Sequence, residues 1–240
     1  MSAQPGVMSH GLAAAAGRRG GSKRADTVYD SIKLLLIHGE LKSGDRIAVN
    51  ELGERFQVSR QPVLAALNRL AHEGFVRGVP QVGFWVAGID VTQVADFFRM
   101  FALTEGLSAA LAAERRTPDD IYSLDTILGQ FNRLLTGRPA PARLQQEFLS
   151  LNRQFHAAIH AMARSEYVAH MASGMWDRCD FYLSSANPLL QGERSRDYER
   201  EHEGIARAIS EGKASIAQKR LHDHIRSIGD EAVKRLKTLA

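Results

Sequence analysis

Two groups of residues in this 240-residue chain have the side-chain types and spacing that chemistry requires. The first is Asn152, His156, His202 and His224. Asn152 and His156 are four positions apart, so on a helix they share one face. His202 and His224 fall in two further segments of helical period, with His202 read as opening its helix after Tyr198-Glu199-Arg200-Glu201. Three helices of a bundle can aim such nitrogen and oxygen donors at one interior point, a common way to build a divalent-metal site. On spacing alone, ordinary core histidines remain the simpler reading. His10, His38, His72, His160 and His170 have no partner in this pattern and read as surface or core residues. His222 is two residues from His224 and points to another side of its helix.

The second group is Ser59-Arg60-Gln61-Pro62, at the start of an apolar-periodic segment. Ser59 can cap a helix there, and Pro62 in the first turn costs little because its missing N–H has no partner anyway. A helix that presents polar residues at its N-terminus can read base edges. Arg60 can donate two hydrogen bonds to a guanine, and Gln61 can pair with an adenine or a phosphate. Backbone N–H groups at the same end attract phosphate. Gln81 and Gly83, in a turn further on, can approach the adjacent groove. Arg69 and Arg77 fit phosphate contacts or plain surface charges equally well, and Asn50 reads as a helix cap that could also touch phosphate.

These side chains need elements to carry them. Asp26 can cap a helix that runs to His38, with Val28, Ile32, Leu35 and Leu36 on its apolar face and Gly39 as its stop. Leu41 to Ile47 reads as a loop. Asn50 caps a second helix, Glu51 to Phe56, and Gln57-Val58 turns into the third, which buries Val63, Leu67 and Leu70 and stops at Gly74. Phe75-Val76-Arg77 and Phe84-Trp85-Val86 then form a hairpin. Three helices and a hairpin make a winged helix-turn-helix. From Val91 onward the period is helical throughout, with breaks at Pro118, Gly137-Arg138-Pro139, Pro141, Asn187-Pro188 and Gly212. The expected fold is therefore mostly α. Residues 1–24 are a disordered basic tail, residues 25–88 the winged helix-turn-helix, and residues 91–237 an antiparallel bundle of six helices, to which the family resemblance given below assigns effector binding and dimerisation.

Composition agrees with this division. The net charge is +4, and three of those charges fall within residues 1–90, a mild bias toward an anionic partner. No apolar run approaches the roughly 20 residues that cross a bilayer. Leu12 to Ala16 is too short for a secretion signal, so a cytoplasmic protein is expected. One cysteine, Cys179, excludes an internal disulfide and reads as a small helical filler.

The N-terminal motif resembles the DNA-binding domain of the GntR family. The resemblance is carried by Gly44-Asp45-Arg46-Ile47, Glu51-Leu52 to Phe56, Val58 to Val63, Leu67, Leu70, Glu73-Gly74-Phe75-Val76 and Gly83-Phe84-Trp85-Val86. This chain has Leu64-Ala65 where the family usually has Arg-Glu, and Gln81-Val82 where it has Asn-Arg. The loss of two DNA-contacting arginines implies altered sequence preference or weaker affinity. Residues 91–237 are similar to the FCD-type ligand-sensing domain of the FadR subfamily, through Glu105-Gly106-Leu107, Leu111 to Arg115, Asn152 to His156, and Glu201-His202 to Gly212.

That resemblance implies a divalent metal on Asn152, His156, His202 and His224, with Asn152 standing where the subfamily has an aspartate. Zinc is the first expectation, with nickel or manganese as alternatives. It also implies a homodimer on a two-fold operator in double-stranded DNA, a repressor more often than an activator, and a small organic acid as effector. Phe101 stands where an anion-binding arginine is usual, so Arg99 and Arg178 are the candidate anion partners. No enzyme is expected, since the position that could supply a general base is Asn152. An architectural DNA-binding protein without an effector is the alternative.

Overall fold

The computed structural model describes residues 26–137, 139–186 and 193–239. The N-terminal tail and Asn187-Pro188 lie outside the described residues. The chain divides into two compact units between Gly88 and Ile89.

The first unit comprises α1 (26–37), β1 (Arg46–Ile47), α2 (Val49–Phe56), α3 (Arg60–His72), β2 (Val76–Val79) and β3 (Gly83–Val86). Its core is built from the apolar faces of three helices and the inner face of the hairpin. Val28, Ile32 and Leu36 of α1, Leu52 of α2, Val63, Leu67 and Leu70 of α3, and Phe75, Val76 and Val86 are all buried. The strands form an antiparallel sheet in the order β1-β3-β2, with Arg77 opposite Trp85 and Val79 opposite Gly83.

Three local expectations are corrected here. The segment read as a loop contains β1, a two-residue strand with Arg46 opposite Trp85, too short for alternation to announce it. Asn50 caps nothing: α2 starts two residues earlier than expected, at Val49, with Ala48 at its N-cap position, and Asn50 is exposed in the first turn. Asp26 lies inside α1, where its carboxylate accepts from Arg69 at 3.4 Å.

The second unit has six helices: α4 (Val91–Arg115), α5 (Pro118–Thr136), α6 (Pro141–Ala163), α7 (Glu166–Ser185), α8 (Glu193–Ser210) and α9 (Ala214–Leu239). Their starts follow from local chemistry. The Asp90 carboxylate accepts from Thr92 N–H at 2.8 Å and caps α4. Thr117 and Asp120 form a reciprocal capping box around Pro118 at the start of α5, and the Ser165 hydroxyl accepts from Val168 N–H at α7. His202 does not open a helix. It lies well inside α8, because the charged run before it consists of good helix formers and nothing breaks the turn.

The bundle closes around α4, which packs along α9. Two glycines set how near these helices come. A Cβ added to Gly106 of α4 would sit 3.0 Å from the Gln218 carbonyl oxygen, and one added to Gly229 of α9 would sit 2.4 Å from Cβ and Cγ of Phe98. Phe98, Phe101, Phe131, Phe155, Ile205, Leu221 and Ile225 form the centre of the core. The face of α4 that enters this core, Phe98, Phe101, Ala102, Ala109 and Ala112, includes one charged residue, Glu105.

Candidate metal centre and nucleic-acid interface

Among the described residues, the core of the second unit buries one carboxylate and three imidazoles, Glu105, His156, His202 and His224. His156 comes from α6, His202 from α8 and His224 from α9. One nitrogen from each imidazole lies within 4.8 Å of the others. The rings are in contact: the His202 and His224 centroids are 4.8 Å apart, and His156 lies 5.7 Å from His224 and 5.8 Å from His202.

The hydrogen bonds around these rings separate their inner and outer nitrogens. His156 Nδ1 is 2.7 Å from Glu105 Oε2, and His224 Nδ1 is 2.5 Å from Glu201 Oε2. A carboxylate can only accept in these pairs, so both rings carry their proton on Nδ1 and turn an unprotonated Nε2 inward. His156 Nε2, His224 Nε2 and both nitrogens of His202 have no hydrogen-bond partner among the described residues. A buried polar nitrogen without a partner costs roughly 1–3 kcal/mol, and four in one place call for a ligand. Three neutral imidazoles on three helices suit a divalent transition metal. The donor set therefore fits the group that the spacing suggested.

The electrostatics keep these rings available as donors. Burial pushes His156 down to about 4, although the Glu105 carboxylate pulls it upward. Burial, with His224 and His156 beside it, likewise holds His202 well below the usual imidazole range. Burial alone would raise Glu105, but the hydrogen bonds from His156 and His160 bring it down to about 2. At neutral pH His156 and His202 are thus neutral and Glu105 is charged.

Asn152, one turn before His156 on α6, is half-buried. Phe101 is fully buried, its ring edge-on to Trp176 at 5.1 Å, and Trp176 lies 4.4 Å from the His156 ring. Arg99 is not brought to this cluster. It is exposed and pairs with Asp96 at 3.4 Å, because two residues along a helix is a rotation of about 200°. The Arg178 guanidinium lies 5.8 Å from the Tyr182 ring centroid. The arginine that stands over Trp176 is Arg153, held by Asp177 at 3.0 Å and Asp180 at 2.6 Å.

Sequence reasoning missed Glu105, Glu201 and His160 as parts of this cluster. His160 Nε2 reaches Glu105 Oε1 at 2.6 Å, and the Trp176 indole N–H donates to the same oxygen at 3.1 Å. A signal existed for Glu105, a lone acid on the apolar face of α4. His160 follows His156 by four residues, the spacing already used for Asn152. For Glu201 no comparable signal exists, since it sits in a run of charges.

In the first unit, Ser59 occupies the N-cap position of α3 but its hydroxyl makes no capping hydrogen bond. Arg60 and Gln61 follow and are exposed, and Pro62 completes the first turn. Arg60 has no ion-pair partner among the described residues. Arg60, Asn68 and His72 of α3 share a concavity of about 840 Å³ with Arg77, Pro80 and Gln81 of the hairpin. Gln81 sits at the hairpin tip with φ 61°. Gly83 has φ 138°, a conformation that favours glycine. Arg69 is committed elsewhere. Its guanidinium stacks on Tyr29 at 3.7 Å and pairs with Asp26 and Glu73, which ties α3 to α1.

Comparison with known proteins matches both units. Residues 96–227 match the model of the FCD domain, and residues 24–86 match that of the bacterial regulatory proteins of the gntR family. Over 108 residues the chain is 34% identical to an uncharacterised HTH-type transcriptional regulator of Mycobacterium tuberculosis, a match that spans 45% of this chain and only 44% of that one. A longer match, 27% identical over 217 residues, covers 88% of this chain and 86% of an uncharacterised HTH-type transcriptional regulator from an unstable DNA locus of Streptomyces ambofaciens. The solved structure of Escherichia coli McbR superposes with a TM-score of 0.74 over 89% of this chain and 98% of that one, at 22% identity, and so shares its fold.

Proposed function

The chain belongs to the GntR family of bacterial regulatory proteins and carries an FCD domain behind its DNA-binding unit, and on that premise we propose a transcription repressor whose operator affinity is set by a small organic acid bound at a metal centre. The observation that carries this reading is the group of three buried histidines whose inner nitrogens have no protein partner.

His156, His202 and His224 would hold the ion, with Asn152 adding a neutral oxygen. Zinc is the first choice, and nickel or manganese the alternatives. When bound, the ion supplies Lewis acidity and open positions that accept a carboxylate. The acid's apolar part would meet the Phe101 and Trp176 side of the cluster, with Arg153 over the far side of Trp176. No general base stands among the inner residues, which favours sensing over turnover.

In the DNA-binding unit, Arg60 and Gln61 would read base edges. Ser59, Pro62 and Asn50 would position or flank the helix end, and Gln81 and Arg77 would reach the neighbouring groove or phosphates. A homodimer on a two-fold operator doubles these contacts. The coupling between effector and operator should be about 1–3 kcal/mol, or roughly 5- to 150-fold in affinity.

Fluorescence anisotropy on DNA from the chain's own upstream region tests this reading. Binding should weaken steeply with rising salt, because displaced counterions drive it. Small carboxylic acids should shift affinity in the zinc-loaded protein and have no effect after chelation. Binding indifferent to salt would end the DNA reading. Binding indifferent to every acid and to zinc would leave only an architectural role.

A further inference from the structure

This inference rests on the metal reading above. Every inner donor there is neutral: three imidazoles and the Asn152 amide. A divalent ion buried among neutral donors keeps its whole charge in a low-dielectric core, which is costly unless negative charge lies nearby. Two carboxylates are one imidazole away. Glu105 comes from α4, a helix that contributes no inner nitrogen, and accepts from His156, His160 and Trp176. Glu201 comes from α8 and reaches across to His224 on α9. His202 has no such partner among the described residues.

We infer that Glu105 and Glu201 are positioning residues of the metal centre. Each fixes one imidazole with its proton outward and its Nε2 inward, and together they supply the two negative charges that the inner donors lack. Hydrogen bonds from carboxylates to ligating imidazoles orient the ring and raise its basicity. Asn152 is neutral, so the charge stands outside the inner set, on Glu105 and Glu201.

The two residues are not equivalent. Glu105 is wholly buried and also organises His160 and Trp176, so its loss threatens the fold. Glu201 is about 41% exposed and can be changed with less risk. Glu201→Gln keeps an acceptor for His224 and removes only the charge, while Glu201→Ala removes both.

The test uses the full chain, purified without an affinity tag, with zinc as the probe in competition against a chelating dye. Glu201→Gln should lower zinc affinity roughly 10- to 100-fold with zinc-free melting unchanged, and Glu201→Ala at least as much, with a lower zinc-free melt because the His224 Nδ1–H loses its acceptor. Asn152→Asp returns a charge to the inner set, so adding it to Glu201→Gln should restore most of the lost affinity. In the zinc-free protein, ¹⁵N-resolved imidazole spectra should show His156 and His224 protonated on Nδ1. The inference is overturned if Glu201→Gln binds zinc like the wild type, or if His224 carries its proton on Nε2. If the wild type binds no zinc, nickel or manganese, the metal reading falls too.

Discussion

Replacing His202 by leucine should reverse sign with metal. Neither ring nitrogen of His202 has a partner among the described residues, and the ring is wholly buried, 4.4 Å from Phe155 and 5.1 Å from Phe131. At roughly 1–3 kcal/mol for each unsatisfied nitrogen, the imidazole costs the metal-free fold about 2–6 kcal/mol. A leucine of similar volume removes that cost and introduces a packing mismatch of under about 1.5 kcal/mol. The metal-free variant should thus be more stable than the wild type by roughly 0.5–6 kcal/mol. In a protein of this size, each kcal/mol moves the melting midpoint by roughly 2–4 °C. Zinc at a thousandfold excess over its dissociation constant should add about 4 kcal/mol to the wild type and little to the variant, which has lost a donor. Calorimetric scans of both proteins, with chelator and with zinc, should therefore cross. Two results would refute the reasoning: a variant less stable than the wild type in chelator, or one that gains as much from zinc.

Arg60→Ala should cost about 1–3 kcal/mol per half-site in operator affinity and relax the preference at one base position, both measurable by anisotropy on a set of single-base variants. Arg69→Ala should act differently, lowering the urea midpoint by loosening α1 from α3. Gly229→Ala should destabilise by roughly 1–3 kcal/mol, because its methyl would meet Phe98 at 2.4 Å, whereas Gly174→Ala in α7, with nothing within 4 Å, should stabilise by up to about 1 kcal/mol; denaturant melts of the pair check the contrast. With zinc removed, stability should be flat above about pH 6.5 and fall as the pH drops toward 4. His156 is held down to about 4 in the fold, so the unfolded chain takes up its proton first. His156 alone makes the loss about 2 kcal/mol at pH 5 relative to pH 7, and His202, also held low by burial, adds to it; urea midpoints read the sum.

The large divisions of this molecule are legible in its sequence because they depend on period. The apolar spacing of Val28, Ile32, Leu35 and Leu36 marks α1, and that of Val63, Leu67 and Leu70 marks the inner face of α3. The three histidines are legible as candidates because each falls on a helical face that also carries core residues. What stays hidden is decided in three dimensions. Glu201 reaches His224 across 23 positions, and a run of charges says nothing about which member turns inward. Arg69 looks like a phosphate contact until Tyr29 and Asp26 take it up. Asn50 looks like a cap, but the helix starts two residues sooner, with Ala48 at the N-cap position. Arg99 fails for a geometric reason already visible in the sequence, since the angle between it and Phe101 follows from the helical repeat.

The buried cluster draws one imidazole each from α6, α8 and α9 and a carboxylate from α4, so the first and last helices of the unit both take part. Such a cluster exists only once chain segments far apart in sequence have met, and contacts of that kind must first offset the entropy of closing a long loop. An ion seated there would add nothing to the barrier for folding and would be lost early in unfolding, so its stabilisation should appear mainly as a slower unfolding rate. The ion would in that case govern how long a folded molecule lasts more than how fast it forms, and withdrawing metal from a cell would shorten the lifetime of existing protein before it changed the folding of new chains.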